Sequence, residues 1–257
     1  LAQRNNFNVI KENREHYFLD HEHLLKTLND LPDNTVYVNH CNYIEHKSID
    51  DYVWINIVRE PIDRAQSLYY YEVSPIRPQD RVTEKLHQQN QTVNPCGCLN
   101  MEFDDCYRFY MQNPNCAHRL NLNSFKKFFA DASRDPNHRV PAPVPVEDLF
   151  KRIRDRYLFV GILEEYELSI AALEKLLPRF FSGATAYLRE QPHELHNTPQ
   201  VNPLTNTTKG GAISTHVREA LKQHNHDDIV LYERIKRLFW VKIASLFPDL
   251  VEREIYG

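Results

Sequence analysis

Apolar positions along this chain follow two spacings, one typical of strands and the other of helices. Short runs rich in β-branched and aromatic residues predict buried strands at 36–38, 53–58 and 157–162. Leucines three and four residues apart predict an amphipathic helix over 21–31. Residues 1–10 have the pattern of a helix end that runs into a strand. The pattern therefore mixes helices and strands from the first residues onward.

Further helices are predicted between the strands and after the last of them. Pro61 suits the first turn of a helix, which is expected to run to about residue 71. The other predicted helices cover 103–112, 121–129, 147–156, 165–177, 217–225 and 228–247. The segments expected to form loops, because they are rich in proline or polar residues, are 74–100, 131–146 and 189–216.

Strands that alternate with helices favour one fold class. We expect an α/β fold with a mostly parallel central sheet flanked by helices, in a single domain over residues 1–257. Active sites in such folds lie at the carboxyl ends of the strands. Two polar pairs stand at predicted strand ends, Asn39-His40 and Arg59-Glu60.

Composition and charge narrow the possible functions. Lys plus Arg total 31 and Asp plus Glu total 35, which gives a net charge of -4. The chain thus lacks the basic footprint of a nucleic-acid binder, although a local basic site for a small anion is compatible with it. Neither glycine-rich phosphate-binding pattern occurs among its 6 glycines. No metal site is predicted, because the histidines of His21-Glu22-His23 and His224-Asn225-His226 do not share a helix face.

The stretch from Arg59 to Ser67 holds the strongest chemical signal. A strand delivers Arg59 to its end, and Pro61 starts a helix whose exposed amides and dipole favour an anion. Arg59 can bind a phosphate in bidentate fashion, and Ser67 lies about two turns along the helix as a further donor. The alternative is a purely structural strand–helix corner with an Arg59–Glu60 ion pair.

The chain contains five cysteines, and four of them lie within one short stretch. They are Cys41, Cys96, Cys98, Cys106 and Cys116. Their spacing does not form the paired knuckles of a structural zinc site. Two disulfide bonds in an oxidising compartment are the preferred interpretation, with three pairings open. Sequons at Asn90 and Asn206 also suit a protein of the secretory pathway.

Arg59 to Ser67 resembles the 3′-phosphate motif of Golgi sulfotransferases, Arg–(Asp or Glu)–Pro–x–x–Arg–x–x–Ser. Over about residues 7–247, an ordered set of blocks resembles the uronyl 2-O-sulfotransferases, which include the heparan sulfate and dermatan/chondroitin sulfate enzymes and the insect Pipe proteins. The blocks are Tyr37-Val38-Asn39-His40, Ile55-Asn56-Ile57-Val58-Arg59-Glu60-Pro61, Ser67-Leu68-Tyr69-Tyr70-Tyr71, Phe103-Asp104-Asp105-Cys106, Val160-Gly161-Ile162-Leu163-Glu164-Glu165 and Leu177-Pro178-Arg179-Phe180-Phe181-Ser182-Gly183-Ala184.

The resemblance implies a P-loop NTPase-like sulfotransferase fold. It implies transfer of a sulfuryl group from 3′-phosphoadenosine 5′-phosphosulfate (PAPS) to a glycan hydroxyl, with the 2-O position of a uronic acid or related sugar as the expected target. The expected acceptor is a glycosaminoglycan or a glycoprotein glycan. The reaction is expected to need no metal ion. The implied location is the Golgi lumen, and the implied topology is that of a type II membrane protein. The resemblance is also compatible with a homo-oligomer.

Residue roles are implied in the same way. Arg59 and Ser67 match the residues that hold the 3′-phosphate, and His40 matches the catalytic base. Lys209 is the nearest match to a lysine that contacts the nucleotide. The candidate contacts to an acidic acceptor sugar are Arg77 and Arg179.

The resemblance also implies a Cys106–Cys116 disulfide, with Cys41 as the free thiol. The family element that cradles the 5′-phosphosulfate would precede Leu1, so we expect the chain to be cut from a longer protein. Two alternatives stand beside the enzyme. One is an inactive glycan-binding or scaffolding module with the same fold. The other, a kinase-like enzyme, is disfavoured because neither a Walker-type loop nor an acidic Mg²⁺ pair accompanies Arg59.

Overall fold

A computed structural model describes residues 2–11, 21–38, 43–44, 52–73, 96, 98, 101–122, 125–130, 144–190 and 212–249. The strands are β1 (Asn8–Lys11), β2 (Thr35–Val38), β3 (Trp54–Val58) and β4 (Tyr157–Ile162). The α-helices are α1 (Ala2–Asn5), α2 (His21–Asn29), α3 (Pro61–Val73), α4 (Phe103–Gln112), α5 (Phe125–Phe129), α6 (Val146–Arg156), α7 (Tyr166–Leu176), α8 (Pro178–Phe181), α9 (Ala184–Glu190), α10 (Thr215–His224) and α11 (His226–Leu246). A 3-10 helix covers Pro114–Leu120.

Most elements lie where the apolar spacing predicts them. The helix predicted at 103–112 has the bounds of α4, and the strands predicted at 36–38, 53–58 and 157–162 correspond to β2, β3 and β4. The predicted helix at 121–129 is shorter, because α5 begins only at Phe125. The 3-10 helix and the short helices α8 and α9 were not predicted. Of the helices in the described part of the chain, none has the length and apolar character needed to span a membrane.

The described strands form two parallel pairs, so the chain has a mixed α/β architecture. β1 pairs with β2, and β3 pairs with β4. The expected parallel orientation is confirmed, but the expectation of one central sheet is corrected for these four strands, since each pair forms its own two-stranded sheet. The predicted passage from a helix end into a strand is also confirmed, as Asn6 at φ 52° turns the chain from α1 into β1.

The chain divides into two compact units, which we describe separately. Unit A comprises Leu1–Val58, Ser124–Glu190 and Val230–Gly257, and unit B comprises Arg59–Asn123 and Gln191–Ile229. The single domain expected from the sequence stays a prediction.

The main core of unit A surrounds β4. Ile162 at the end of this strand, Ile153 of α6, Leu173 of α7 and Ile235 of α11 are almost completely buried. Apolar residues of three helices therefore enclose one strand. A smaller cluster in the same unit packs α2 under the residues that lead into β3, through Leu24, Leu28 and Ile44.

A buried serine joins α7 to the end of β4. The Ser169 hydroxyl accepts a hydrogen bond from the Ile162 amide at 3.1 Å and donates one to the Ile162 carbonyl at 3.0 Å. Gly161 makes this approach possible, because a Cβ there would stand 2.8 Å from the Ser169 hydroxyl oxygen. The close contact satisfies the backbone groups of Ile162 on the side that faces α7.

The core of unit B is built from α3, α4, α10 and two disulfides. Ile62, Phe103, Val217 and Leu221 are buried in it. Asn225, just after α10, is also buried. It accepts a hydrogen bond from the Leu122 amide at 2.6 Å and donates to the carbonyls of Leu120 at 2.9 Å and Leu221 at 2.8 Å. The central residue of the His224-Asn225-His226 pattern therefore has a structural role.

The two disulfides expected from the cysteine count are present, but their pairing differs from the one implied by the resemblance. Cys96 is bonded to Cys116, and Cys98 to Cys106, so the Cys106–Cys116 expectation is wrong. The reason is that Cys96 and Cys98 are buried against the two helical elements instead of lying in an exposed loop. The Met101 amide bonds to the Cys98 carbonyl where the chain enters α4, and the Tyr110 hydroxyl donates to the Cys96 carbonyl at 3.0 Å.

We predict that Ser169→Ala lowers the free energy of unfolding by about 1–3 kcal/mol, because it leaves the buried amide of Ile162 without this partner. Urea denaturation measures the loss. Ser245→Ala, at an exposed position of α11, is the matched control and should change little. Equal stability of the two variants would contradict the structural role of Ser169.

For the cysteines, peptide mapping without reduction is expected to recover Cys96–Cys116 and Cys98–Cys106 peptides. Recovery of a Cys106–Cys116 peptide would contradict the pairing. Replacing both Cys96 and Cys116 by serine should cost about 3 kcal/mol of unfolding free energy, since this bridge closes the longer loop. Cys41→Ser is the control.

Candidate functional site

The corner between β3 and α3 is formed by local backbone rules. The strand ends at Val58, and Pro61 occupies the first turn of the helix, where its missing amide hydrogen costs nothing. The Glu60 carboxylate caps this helix by accepting a hydrogen bond from the Asp63 amide at 2.7 Å. One of the unpaired amides at the start of α3 is therefore already satisfied by the chain itself.

Arg59 and Ser67 are both half-buried at this corner. Within the described residues, neither side chain has a hydrogen-bond or ion-pair partner. Ser67 lies six residues after Pro61 in the helix, which is a rise of about 9 Å. Ser67 lies seven residues after Glu60 and so falls on the same face of the helix. Among the described residues, the corner thus holds a guanidinium and a hydroxyl without partners, and both groups can bind a phosphate.

The ion pairs at the corner differ from those expected for a purely structural strand–helix corner. That alternative pairs Arg59 with Glu60, whereas the carboxylate of Glu60 faces Arg218 of α10, with 3.7 Å between Nη1 and Oε2. Arg218 also bonds to Asp63, with 2.7 Å between Nη2 and Oδ1. Burial raises the pKa of Glu60 above its usual value, although the Asp63 amide and Arg218 act in the opposite direction. Arg218 is a residue of this corner that sequence reasoning missed.

Two tyrosines of α3 tie this helix to the segment before α4. The Tyr69 hydroxyl donates to the carbonyls of Cys98 at 3.1 Å and Met101 at 2.8 Å. The Tyr70 hydroxyl donates to Glu102 at 2.6 Å. Burial raises the pKa of Tyr69 beyond its ordinary range and, together with the Glu102 hydrogen bond, raises that of Tyr70 to about 12. Both phenols therefore stay protonated as structural donors.

Of the other residues predicted to contact the nucleotide or the acceptor, the structure describes Arg179. It is exposed in the short helix α8 of unit A. His40, Arg77, Lys209, Asn90, Asn206 and Cys41 lie outside the described residues. In the described part of the chain, His, Cys, Asp and Glu side chains form no group of three or more suited to a metal ion.

Unit A contains an open pocket of about 620 Å³ next to the turn that follows β4. Its wall includes the carboxylates of Glu164, Glu165 and Glu167 and the guanidinium of Arg189. This excess of negative charge disfavours an anionic ligand. The β3–α3 corner is the candidate anion site because Arg59 and Ser67 have no partner among the described residues.

The raised pKa of Glu60 generates a prediction about stability. The folded protein holds this proton more tightly than the unfolded chain. The Glu60 contribution to unfolding free energy therefore falls as pH rises from the ordinary pKa of 4.5 through the higher folded value. Relative to wild type, Glu60→Gln should gain stability across this window and keep a constant difference above it.

Urea denaturation at several pH values from about 4 to about 7 measures this difference. Glu233→Gln, at an exposed position of α11, is the matched control and should follow the wild-type curve. A constant offset between Glu60→Gln and wild type over the whole range would contradict the shifted pKa.

Comparison with known proteins finds relatives whose names all refer to sulfotransferases. No protein-family model matches the chain. It is 22% identical over 247 residues to human "Uronyl 2-sulfotransferase", covering 93% of this chain and 57% of that protein. It is 24% identical over 237 residues to "Uronyl 2-sulfotransferase homolog pip" of Drosophila melanogaster, covering 87% and 44%. It is 29% identical over 157 residues to "Heparan sulfate 2-O-sulfotransferase 1" of Gallus gallus, covering 61% and 38%.

The chain spans little more than half the length of the first of these relatives. The matches to the first two relatives cover most of the chain. The resemblance seen in the sequence blocks is confirmed: proteins named as uronyl and heparan sulfate 2-O-sulfotransferases are homologues of this chain.

Proposed function

We propose that the protein transfers a sulfuryl group from PAPS to a hydroxyl of a glycan. The observation that carries this proposal is the pair Arg59 and Ser67, both without partners among the described residues, in a chain whose homologues are named 2-O-sulfotransferases. Arg59 stands just before α3, and Ser67 lies about two turns along it. A guanidinium beside a helix N-terminus and a hydroxyl on the same helix suit the doubly charged 3′-phosphate of the donor.

In the proposed reaction, the acceptor oxygen forms a bond to sulfur while the bond from sulfur to the 5′-phosphate oxygen breaks. The products are the sulfate ester and 3′-phosphoadenosine 5′-phosphate. The acceptor proton passes to His40, because a neutral imidazole is a suitable base near neutral pH. Arg59 and Ser67 act by positioning: they hold the 3′-phosphate and so direct the sulfuryl group towards the acceptor.

The finer assignments belong to the same proposal. The acceptor is a glycosaminoglycan or glycoprotein glycan, with the 2-O position of a uronic acid as the target. Lys209 contacts the nucleotide, and Arg77 and Arg179 contact acidic sugar groups. The protein acts in the Golgi lumen, where Asn90 and Asn206 are glycosylated. The two disulfides support an oxidising compartment of this kind.

Variants of the full-length protein test the roles. His40→Ala should reduce sulfate transfer at least about hundredfold and leave nucleotide affinity nearly unchanged, because a base touches the acceptor alone. Arg59→Ala should weaken 3′-phosphoadenosine 5′-phosphate binding by about 10- to 100-fold, through loss of charge-assisted hydrogen bonds. Calorimetry with the nucleotide and a radiolabelled sulfate-transfer assay measure both effects.

His226→Ala and Arg237→Ala are the matched controls, since both side chains are exposed on α11. Wild-type turnover by His40→Ala would overturn the proposed base. Nucleotide or glycan binding without any transfer by the wild-type protein would favour the inactive glycan-binding module instead.

A further inference from the structure

The β3–α3 corner has an electrostatic conflict with an anion site. Glu60 precedes the helix and Asp63 lies in its first turn, so two carboxylates stand where a phosphate would bind. Carboxylates at a helix N-terminus compete with an anionic ligand for the same dipole and amides. They are also ready partners for Arg59, which would then be unavailable to a ligand.

Arg218 resolves this conflict by engaging both carboxylates. Its guanidinium reaches Asp63 at 2.7 Å and Glu60 at 3.7 Å. The side chain of Glu60 is only 20% exposed, and those of Arg218 and Asp63 are 34% and 35% exposed, so the cluster is partly shielded from solvent. One guanidinium, that of Arg218, thus engages both carboxylates. Arg59 remains without a partner among the described residues.

The helix that carries Arg218 is firmly anchored. The neighbouring Val217 and the next inward residue, Leu221, are completely buried in the core of unit B. The carboxylate of Asp104 accepts a hydrogen bond from the Ser214 amide at 2.7 Å, at the point where α10 begins. Packing and capping therefore place Arg218 at the corner independently of its own ion pairs.

We propose that Arg218 is a positioning residue of the 3′-phosphate site: it engages both Glu60 and Asp63 and offsets part of their negative charge, and so keeps Arg59 and the start of α3 available to the phosphate. This inference rests on the proposed nucleotide site and adds a residue to it. Arg218 itself acts through the two carboxylates and not by contact with the ligand.

Calorimetry isolates this role with two probes, 3′-phosphoadenosine 5′-phosphate and adenosine 5′-monophosphate. The second probe lacks the 3′-phosphate. Arg218→Ala should weaken binding of the first probe by about five- to tenfold and leave the second unchanged. Arg218→Lys should restore most of the affinity. Asp63→Asn added to Arg218→Ala should restore part of it, since one of the two uncovered carboxylates is then gone.

Lys222→Ala is the matched control, because Lys222 lies on the same helix and pairs only locally with Glu219 at 2.8 Å. Should circular dichroism show that Arg218→Ala is unfolded, Arg218→Gln with and without Asp63→Asn gives the same comparison. If the wild-type protein does not bind 3′-phosphoadenosine 5′-phosphate, the nucleotide site fails and this inference with it. If the wild type binds and the Arg218 variants bind equally well, the role of Arg218 alone is overturned.

Discussion

The parallel ladder between β3 and β4 is the constraint on which the candidate site depends. Val58 pairs with Ile162, and the end of β4 is held in turn by the buried hydroxyl of Ser169. Because β3 ends at Val58, Arg59 is the first residue beyond the strand, and Pro61 can start α3 two residues later. The pairing of the two strands thus fixes the end of β3, directly before Arg59.

The start of α3 shows how a helix terminus can serve both folding and binding. Its own Glu60 satisfies one amide, at the cost of burying a carboxylate whose pKa rises as a result. Arg218 offsets the charge of this carboxylate and that of Asp63. Among the described residues, Arg59 and Ser67 have no hydrogen-bond or ion-pair partner. Side chains that folding leaves unpaired are those available for chemistry.

Unit B combines an apolar core with covalent and polar links. Two disulfides attach Cys96 and Cys98 to the 3-10 helix and to α4. Asn225 ties the segment at 120–122 to the end of α10. The disulfides restrict the conformations of the unfolded chain, and the hydrogen bonds of Asn225 satisfy buried backbone groups. Irregular segments can therefore pack around a small core.

The sequence by itself determined the features that depend on neighbouring residues. The periodicity of apolar positions located α4 and β4, Pro61 marked the start of α3, and the ordered blocks identified the homologues. It did not locate the 3-10 helix at Pro114–Leu120, whose seven residues are too few for periodicity to reveal.

Only the tertiary structure decided the contacts between distant residues. It paired Cys96 with Cys116, bound Arg152 of α6 to the Phe129 carbonyl at 2.8 Å, and brought Arg218 to Asp63 across 155 residues of sequence. Local spacing carries no information on which of several cysteines or charged groups will meet, because that depends on how buried apolar faces pack the helices together. For the same reason, Arg59 was recognisable from its motif, whereas Arg218, which contacts Glu60 and Asp63, was not.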